Sequence, residues 1–426
     1  MRAWYRNLDL PALGAWAGLV AVGLVAIYSA THGPAREFLL ESVQQNFNRQ
    51  FQWFVLSGLG MGVVLLIPAR VIVRLAPLAY AVSIGLLVAA LAFGREINGA
   101  KSWLQIGPAS LQVAELAKVG TVLAATAWLA RKNVRSAQVG WNGGYLTSLV
   151  GVAAIVLLPA VLVVMQNDTG TGLVFISLLG VMVFWSGLVP LPWVALAVGS
   201  ALSVYLAILS PWAAAAFALL ATVGVLVWTR SRWMAAAMFA ATAVLGGASR
   251  FLLFSILAPH QRGRIVAFVD PEAYRDTAGF HVIQAKAAIG SGGLTGKGFT
   301  EGTQTQLAFI PEQSTDFVFT IIGEEFGFLG TGLVLALFAF LLIRLAALGV
   351  QTGFALPRLF VAGVTGIFFV HVLINVGMTV GLMPVIGIPL PFVSYGGSAL
   401  LANTTMLAIA LNLHARRDEF AVYRAE

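Results

Sequence analysis

The sequence predicts an all-α polytopic membrane protein, and three observations support this fold class. Hydrophobic residues make up 59% of the 426 residues and charged residues only 10%, whereas a soluble domain carries about 25% charged residues. The mean hydropathy is +0.90, and the apolar residues form blocks of about twenty, enough for a helix to cross ~30 Å of hydrocarbon. The chain has no Cys, which excludes a disulfide scaffold, thiolate metal sites and cysteine nucleophiles.

Twelve apolar segments predict the transmembrane helices in chain order. They cover residues 10–30, 52–68, 75–94, 113–130, 146–166, 170–189, 191–209, 212–228, 233–257, 317–343, 359–382 and 392–413. We do not expect the first segment to be a cleavable signal. Its apolar run is longer than a typical signal core, and it ends in Ile27-Tyr28-Ser29-Ala30 without a clear small-x-small site.

The positive charges predict the orientation of these spans. With the N-terminus in the cytoplasm, fourteen of the 25 basic residues fall on the cytoplasmic side, in short loops and the two termini, and ten fall on the opposite side. The positive-inside rule therefore predicts that both termini are cytoplasmic. The net charge of +8 is then mainly a topology signal, and no nucleic-acid partner is expected. The fourteen residues are Arg2, Arg6, Arg70, Arg74, Arg131, Lys132, Arg135, Arg230, Arg232, Arg344, Arg358, Arg416, Arg417 and Arg424.

One connection is much longer than the others and is predicted to be functional. Residues 258–315 form a loop on the outer face, whereas most other loops have fewer than twenty residues, and long loops in compact folds are usually functional or disordered. The aromatic and branched apolar residues of this loop argue against disorder. Within it, Gln284–Ile289 predicts a short helix that ends at Gly290–Gly293. We expect an ordered extracytoplasmic loop that folds back onto the membrane face as a lid.

The fourth span and the turns around it carry ionisable residues, which are functional candidates at membrane depth because charge is costly there. Glu115 and Lys118 are three residues apart, close enough to neutralise each other on one helix face. Gln112 lies one turn earlier on that face, and Lys101 lies in the preceding outer loop. Two interpretations remain open: a self-satisfied ion pair, or a basic group available to an anionic headgroup. Asp168, between the fifth and sixth spans, is favoured as a helix N-cap.

A glycine-rich stretch in the long loop, Gly292–Gly298, invites comparison with a phosphate-binding loop. The match fails because Ser291 occupies the position of the first glycine and no Ser or Thr follows the lysine. A glycine-rich turn can still hold an anion through backbone N–H groups. Together with Lys297, Lys286 and Arg264, this stretch could therefore cradle a pyrophosphate.

Asp316 lies where the long loop meets the tenth span. Ser314-Thr315-Asp316 is a good helix start, and a carboxylate in the first turn is stabilised by the helix dipole. Two roles are equally supported: a helix cap, or a general base for a sugar hydroxyl. Gln304, Glu312 and Thr315 are polar residues shortly ahead of it.

The last outer loop is rich in proline and ends in a polar motif. Pro384, Pro389 and Pro391 predict a rigid apolar hairpin, because proline fixes the backbone angle φ. Ser394 and Tyr395 then bring polar groups to the start of the twelfth span. The sequence contains no zinc signature and no Ser-His-Asp signature, and its five His are scattered.

Taken in order, these segments resemble the SEDS family (shape, elongation, division and sporulation) of integral membrane peptidoglycan glycosyltransferases. The resemblance runs along almost the whole chain, and its last three motifs together are highly specific. It is closer to the rod-shape branch of the family than to the division branch. The motifs are Ile27–Ala30, Asn98–Trp103, Leu111–Lys118, Gln166–Asp168, Gly290–Gly298, Gly302–Gln306, Pro311–Phe317 and Gly387–Gly397.

The chain departs from the family pattern in a few places. Val113-Ala114 replaces the usual Pro-Ser before Glu115, Gln166-Asn-Asp-Thr-Gly170 replaces Gln-Pro-Asp-Leu-Gly, and Ser102 stands where a second basic residue is common. Family members usually have ten spans. We therefore expect a SEDS-type bundle of about 10–12 helices forming one domain over residues 1–426, with an extra helix pair within about 191–257.

The resemblance implies polymerisation of lipid II into glycan strands on the outer face of the inner membrane. Asp316 would accept the proton of the GlcNAc 4-hydroxyl, whose oxygen attacks the anomeric carbon of the donor with inversion, and undecaprenyl pyrophosphate leaves. Cationic side chains or a divalent cation such as Mg²⁺ or Mn²⁺ would stabilise that leaving group. The implied partner is a class B penicillin-binding protein, a transpeptidase, beside the membrane lipids.

The implied substrate-binding set consists of Lys101, Gln112, Glu115, Lys118, Asp168, Arg264, Lys286, Lys297, Gln304, Glu312, Thr315, Ser394 and Tyr395. Two other functions remain open at this stage. One is a flippase or other transporter of a lipid-linked precursor, which twelve spans would suit. The other is a non-catalytic scaffold of a cell-wall complex, in which Asp316 would be only a helix cap.

Overall fold

The computed structural model describes residues 4–97, 99–107, 109–131, 143–255, 259–275, 279–307, 309–310 and 312–424. Helices dominate this part of the chain, which confirms the predicted helical membrane fold. Three basic residues of the predicted cytoplasmic set, Arg2, Lys132 and Arg135, lie outside the described residues. The chain folds as two compact units, one formed by residues 1–185 with 284–426 and the other by residues 186–283.

The helices are described in chain order. They are α1 Leu10–His32, α2 Glu41–Gln44, α3 Asn46–Leu66, α4 Ala69–Phe93, α5 Val113–Arg131, α6 Gly143–Met165, α7 Thr169–Ser186, α8 Leu191–Leu209, α9 Pro211–Thr229, α10 Arg232–Ser255, α11 Pro259–Val269, α12 Phe280–Ser291, α13 Thr303–Gln306, α14 Val318–Gln351, α15 Ala355–Thr379 and α16 Gly397–Ala415. Short 3₁₀ turns occur at Trp4–Asn7, Pro34–Phe38, Glu272–Tyr274 and Arg417–Arg424.

Each of the twelve predicted spans largely coincides with one long helix. Ten of the described helices are long and apolar enough to cross a membrane, which lies within the predicted range. The two long helices outside this set are α3, whose first turns carry Asn46, Arg49 and Gln50, and α10, which contains Arg232 and Arg250. The protein is therefore a multi-pass membrane protein.

A small antiparallel sheet between α4 and α5 was not predicted. Its strands are β1 Arg95–Ile97, β2 Ala100–Ile106 and β3 Ala109–Gln112, in the order β1-β2-β3. The sequence suggested only an outer loop here, because strands this short carry too little periodicity to be recognised. The register pairs Trp103 with Gln112. Since β3 runs directly into α5, the sheet fixes the position of Gln112 at the start of that helix.

The long helix α14 is broken near its first third, at Gly327. This residue has φ 64° and ψ −157°, a left-handed conformation that favours glycine. The break frees backbone groups that a continuous helix would pair internally. The N–H groups of Phe328 and Leu329 donate instead to the carbonyls of Gly293 and Leu294, at 2.9 and 3.1 Å. We call residues 290–298 the glycine-rich segment.

The predicted long loop is ordered over its described residues. The helix predicted over Gln284–Ile289 is confirmed and is longer, as α12, and α13 follows it. In the second unit, α8, α9 and α10 pack against one another, and the Ser203 hydroxyl of α8 donates to the Thr242 carbonyl of α10 at 2.9 Å. Between α15 and α16 the chain forms an irregular connection, and we call residues 384–396 within it the proline-rich loop.

Candidate active site

Polar side chains of α15 and α3 hold the proline-rich loop at one end of the first unit. On α15, Asn375 donates its amide N–H to the Ile388 carbonyl at 2.7 Å. On α3, Gln50 donates to the Ser394 carbonyl at 3.2 Å and accepts the Gly396 N–H at 3.1 Å. Proline has no N–H to donate, and these side chains hold the loop largely through its carbonyl groups.

Asp316 lies beside the proline-rich loop, on the turn that leads into α14. Its N–H donates to the Glu312 carbonyl at 3.1 Å, and its own carbonyl accepts the Asn375 amide at 2.9 Å. The half-buried carboxylate lies against Gly387, where an added Cβ would be 3.1 Å from Asp316 Oδ2. The turn and the loop therefore hold this carboxylate between them.

The predicted position of Asp316 within the first turn of the helix is wrong. α14 begins at Val318, and its N-cap residue is Phe317, whose apolar side chain makes no capping hydrogen bond. Asp316 precedes that residue because the chain first makes a backbone turn, in which the Phe317 N–H donates to the Glu312 carbonyl. Asp316 therefore lies just before the N-cap residue of α14 rather than inside the first helical turn.

The residues around Asp316 on this turn are polar, as the sequence suggested. Thr315 donates its hydroxyl to the Glu312 carboxylate at 3.0 Å, and Glu312 is exposed. The Ser314 hydroxyl accepts the Asn46 amide of α3 at 3.3 Å. Glu312, Thr315 and Asp316 therefore lie on one short turn that α3 and α15 hold in place.

Ser394 and Tyr395 have different environments within the proline-rich loop. Ser394 is buried, and its hydroxyl accepts the Leu390 N–H at 2.8 Å, so it shapes the loop itself. The Tyr395 N–H donates to the Ser314 carbonyl at 2.8 Å, which ties the loop to the Asp316 turn. Burial raises the pKa of the Tyr395 phenol, and a hydrogen bond with Arg49 acts in the opposite direction.

Gln112 and Asp168 are brought together on the same side of the unit. The Gln112 side chain donates to Asp168 Oδ2 at 3.0 Å, and its N–H donates to the Ser398 hydroxyl at 3.2 Å. Asp168 also accepts the Thr171 N–H at 3.0 Å. This bond confirms the predicted N-cap role, since it satisfies a free donor at the start of α7.

Glu115 and Lys118 form the self-satisfied ion pair that was one of the two interpretations. Lys118 is completely buried and lies 2.9 Å from both Glu115 oxygens. A second hydrogen bond, also of 2.9 Å, joins Lys118 Nζ to His371 Nε2, and His371 Nδ1 lies 3.0 Å from the Pro389 carbonyl. The ammonium thus has Glu115 Oε1 and His371 Nε2 as hydrogen-bond partners inside the protein, and Glu115 Oε2 lies beside it in the ion pair.

The glycine-rich segment does not form the predicted anion cradle. The N–H groups of Lys297 and Gly298 donate to the carbonyls of Glu324 and Glu325, at 3.0 and 3.1 Å, because the break in α14 leaves those carbonyls without helical partners. The Lys297 ammonium forms an ion pair with the buried Glu324 at 2.7 Å. Glu324 also accepts the Gln304 N–H at 2.9 Å, so Gln304 acts here through its backbone.

The remaining predicted cations are all exposed. Lys101 is exposed, and its ammonium donates to the Ala92 carbonyl at 3.3 Å. Lys286 is exposed on α12, and Arg264 is exposed in the second unit. Among the described residues, no group of three or more His, Cys, Asp or Glu could hold a metal ion. A divalent cation therefore stays a prediction, in which substrate phosphates would supply part of the coordination.

Four residues of this site were not singled out from the sequence. His371 and Asn375 are four residues apart in an apolar span, and that spacing places them on one helix face. Arg49 and Gln50 belong to the polar start of α3. Polar groups are rare in membrane helices and usually face the interior of the bundle, and this rarity was the signal available in the sequence.

Comparison with known proteins assigns the chain to a family. The FtsW, RodA and SpoVE family model, described as "Cell cycle protein", matches residues 12–220 and 193–419 of this chain. The peptidoglycan glycosyltransferase MrdB of Escherichia coli K12 is 33% identical over 369 residues, which is 85% of either chain. The peptidoglycan glycosyltransferase RodA of Treponema pallidum is 32% identical over 437 residues, covering 94% of this chain and 95% of that protein.

Solved structures share the fold. A chain from a peptidoglycan synthase complex, studied for the coordination of polymerization and crosslinking, aligns with a TM-score of 0.69 and 30% identity over 96% of this chain and 98% of that chain. The crystal structure of the rod shape determining protein RodA of Thermus thermophilus aligns with a TM-score of 0.61 and 26% identity, covering 96% of this chain and 97% of that chain.

Proposed function

We propose a function on the premise that this chain belongs to the FtsW, RodA and SpoVE family. This is the SEDS family that the sequence motifs resemble. The proposed function is that of a peptidoglycan glycosyltransferase, which polymerises lipid II into glycan strands. Relatives named as peptidoglycan glycosyltransferases over most of the chain support it. Structural similarity to the rod shape determining protein RodA of Thermus thermophilus supports a role in cell elongation.

The proposed mechanism is based on the environment of Asp316. Its half-buried carboxylate lies between the turn before α14 and Gly387 of the proline-rich loop. A carboxylate held rigidly at an accessible edge can accept a proton from a hydroxyl that binds within hydrogen-bond distance. Asp316 would thus be the general base for the GlcNAc 4-hydroxyl, whose oxygen displaces undecaprenyl pyrophosphate from the anomeric carbon of the donor.

The pyrophosphate leaving group needs positive charge near it. Lys118 and Lys297 are already paired with Glu115 and Glu324. The exposed cations of the same unit are better candidates, namely Lys101 and Lys286. We add Arg49, which is exposed and hydrogen-bonded to Tyr395 of the proline-rich loop.

A class B penicillin-binding protein is the proposed partner. The similar chain from a peptidoglycan synthase complex supports this proposal, since that assembly combines polymerization with crosslinking. A polymerase and a transpeptidase act on the same strand in sequence, so docking one on the other would deliver new strands directly.

The proposed orientation has both termini in the cytoplasm and Asp316 on the outer side of the bacterial inner membrane. Because the chain has no Cys, single cysteines report on sidedness without background. Leu307→Cys, at an exposed site near α13, should react with a membrane-impermeant maleimide in intact spheroplasts. Asp418→Cys, at an exposed site after α16, should react only after permeabilisation. The opposite pattern would reverse the orientation and contradict the proposal.

The test of the function uses purified protein, its partner and fluorescent lipid II. Wild-type protein should produce glycan polymer, and Asp316→Ala should produce none while keeping the wild-type melting temperature in detergent. Asp418→Asn is the matched control, because Asp418 is an exposed carboxylate beyond the far end of α16. Polymer from Asp316→Ala would remove the general-base role. No polymer from the wild type would favour a flippase or a scaffold instead.

A further inference from the structure

Two buried polar residues of α15 face the proline-rich loop. His371 and Asn375 are 1% and 0% exposed, and they lie about one helical turn apart on the same face. A polar side chain at such a position is costly unless it is hydrogen-bonded. Both residues bond outward to backbone carbonyls of other segments rather than to their own helix. Their hydrogen bonds therefore go to the proline-rich loop and to the turn that contains Asp316.

Asn375 joins two chain segments that are distant in sequence. Its amide nitrogen donates one N–H to the Asp316 carbonyl at 2.9 Å and the other to the Ile388 carbonyl at 2.7 Å. Carbonyl oxygens only accept, so both hydrogens of this nitrogen are used and the orientation of the amide is fixed. The Asp316 turn cannot move away from the loop without breaking one of these bonds.

His371 holds the next residue of the loop. The Pro389 carbonyl can only accept, so the ring nitrogen Nδ1, 3.0 Å away, carries the hydrogen. The ammonium of Lys118 can only donate, so Nε2, 2.9 Å away, accepts. A neutral imidazole with its proton on Nδ1 satisfies both bonds at once. The Glu115–Lys118 ion pair thus orients a histidine ring that in turn holds the loop.

We propose that His371 and Asn375 are positioning residues that fix Asp316 against the proline-rich loop, and that Lys118 acts through His371 rather than as a ligand of the substrate headgroup. The chain of contacts runs from Lys118 through His371 to Pro389, and Gly387 of the same loop touches the Asp316 carboxylate. This inference rests on the proposed function, because the position of Asp316 matters for a proton transfer. A misplacement of about 1 Å at a reacting group can lower a rate by about 100-fold.

The two amide replacements of His371 separate its two bonds. In His371→Asn the amide lies near the position of Nδ1 and can still donate to Pro389, whereas in His371→Gln it reaches the position of Nε2 and can bond only Lys118. We expect His371→Gln, which loses the bond to the loop, to lower kcat about 10- to 100-fold. His371→Asn keeps that bond and loses only its alignment by Lys118, so it should lower kcat about three- to tenfold. The KM for lipid II should change less than about threefold in both variants, since substrate binding is not the step affected.

Asn375→Leu provides a second measurement that does not depend on His371. Leucine has nearly the shape of asparagine but no donor, so kcat should fall about 10- to 100-fold with little change in KM. Thr379→Val is the matched control one turn further along α15, because the Thr379 hydroxyl donates only to the Val376 carbonyl of its own helix. This control should keep wild-type kcat.

The melting temperature of each variant in detergent shows whether a variant that loses kcat is still folded. Equal losses of kcat in His371→Asn and His371→Gln, or a loss that appears in KM, would overturn the proposal. Wild-type kcat in Asn375→Leu would overturn it as well. If a histidine variant fails to fold, Asn375→Leu against Thr379→Val still decides the question. A wild-type protein that makes no polymer would refute the proposed function itself, which is a different outcome from these.

Discussion

The glycine-rich segment and the proline-rich loop are held in place by different kinds of partner. The glycine-rich segment donates its N–H groups to the broken helix α14, through Lys297 and Gly298. The proline-rich loop is held largely by side chains of other helices, among them Asn375 and His371, which bond its carbonyls. One segment completes a transmembrane helix, and the other positions a carboxylate.

The difference shows that a sequence motif does not determine what its backbone groups bind. The glycine-rich segment looked like an anion site because such segments expose several N–H groups. Here the break at Gly327 leaves carbonyl groups unpaired within α14, and buried backbone groups must be paired. The segment satisfies that need. The residues that bear on the proposed chemistry are next to the proline-rich loop instead.

Removing Lys297 should have the largest effect on stability. Lys297→Met leaves the buried Glu324 carboxylate without its cation, although two backbone N–H groups still donate to it. Loss of one partner of a fully buried pair costs about 3 kcal/mol. Lys297 is 25% exposed, so the cost should be somewhat lower, and the melting temperature in detergent should still fall clearly. Kinetics should change little in the protein that remains folded. The double variant Lys297→Met with Glu324→Gln should recover much of the loss.

A loss of stability without a loss of kcat would support a structural role for the glycine-rich segment, in contrast to the proline-rich loop. If Lys297 were instead a ligand of the leaving group, Lys297→Met would keep its melting temperature and lose kcat. The glycine-rich segment would then resemble the proline-rich loop in function, and the distinction drawn between them would fail.

A methyl group at Gly387 should lower activity with a smaller effect on stability. Gly387→Ala places Cβ 3.1 Å from Asp316 Oδ2, at a residue with φ of 76°. We expect kcat to fall about 10-fold, because the carboxylate must shift and near-attack geometry is sensitive to such shifts. Gly293→Ala is the matched control in the glycine-rich segment. It has φ of 56° and no atom within 4 Å of an added Cβ.

The Gly293→Ala control separates the effect of backbone strain from the effect of crowding the Asp316 carboxylate. Both substitutions introduce an alanine at positive φ, which costs about 1 kcal/mol. Only Gly387→Ala crowds the carboxylate. Equal kcat values for the two variants would show that Asp316 does not depend on its contact with this loop.

The smallest expected effect concerns the pH dependence of the proline-rich loop. Burial raises the pKa of Tyr395 above its ordinary value of 10.0, so the folded state retains this proton longer than the unfolded state. Stability from this group is therefore complete below about pH 10 and declines as the pH rises further. The melting temperature of wild type should fall more steeply above pH 10 than that of Tyr395→Phe. Parallel curves for the two proteins would contradict the assigned shift.

The helical fold could be predicted because its signal is local. Each span is a run of apolar residues long enough for a membrane, and such a run forms a helix wherever it lies in the fold, since the backbone must satisfy its own hydrogen bonds in lipid. Over its described residues, each of the twelve runs largely coincides with a helix. The sheet of β1, β2 and β3 was missed, because its strands are short and their pairing depends on turns rather than on a periodic pattern.

The candidate site was only partly predictable. Asp316, Tyr395, Gln112 and Asp168 could be chosen as polar groups in an apolar chain. His371 and Asn375 were passed over, because single polar residues within a span give no indication of which carbonyl they will bond. The positions of these carbonyls are set by the packing of α15 against segments far away in sequence, such as residues 384–396 and 312–317.

The sequence by itself determined a polytopic helical membrane protein, its family, and the short list of polar groups available for chemistry, because hydrophobic runs and motifs are properties of neighbouring residues. Only the tertiary structure decided how those groups are used. It paired Lys118 and Lys297 with internal carboxylates, directed the glycine-rich segment to the break in α14, and brought Asp316 against Gly387. These outcomes depend on which buried donors and acceptors meet when distant helices pack.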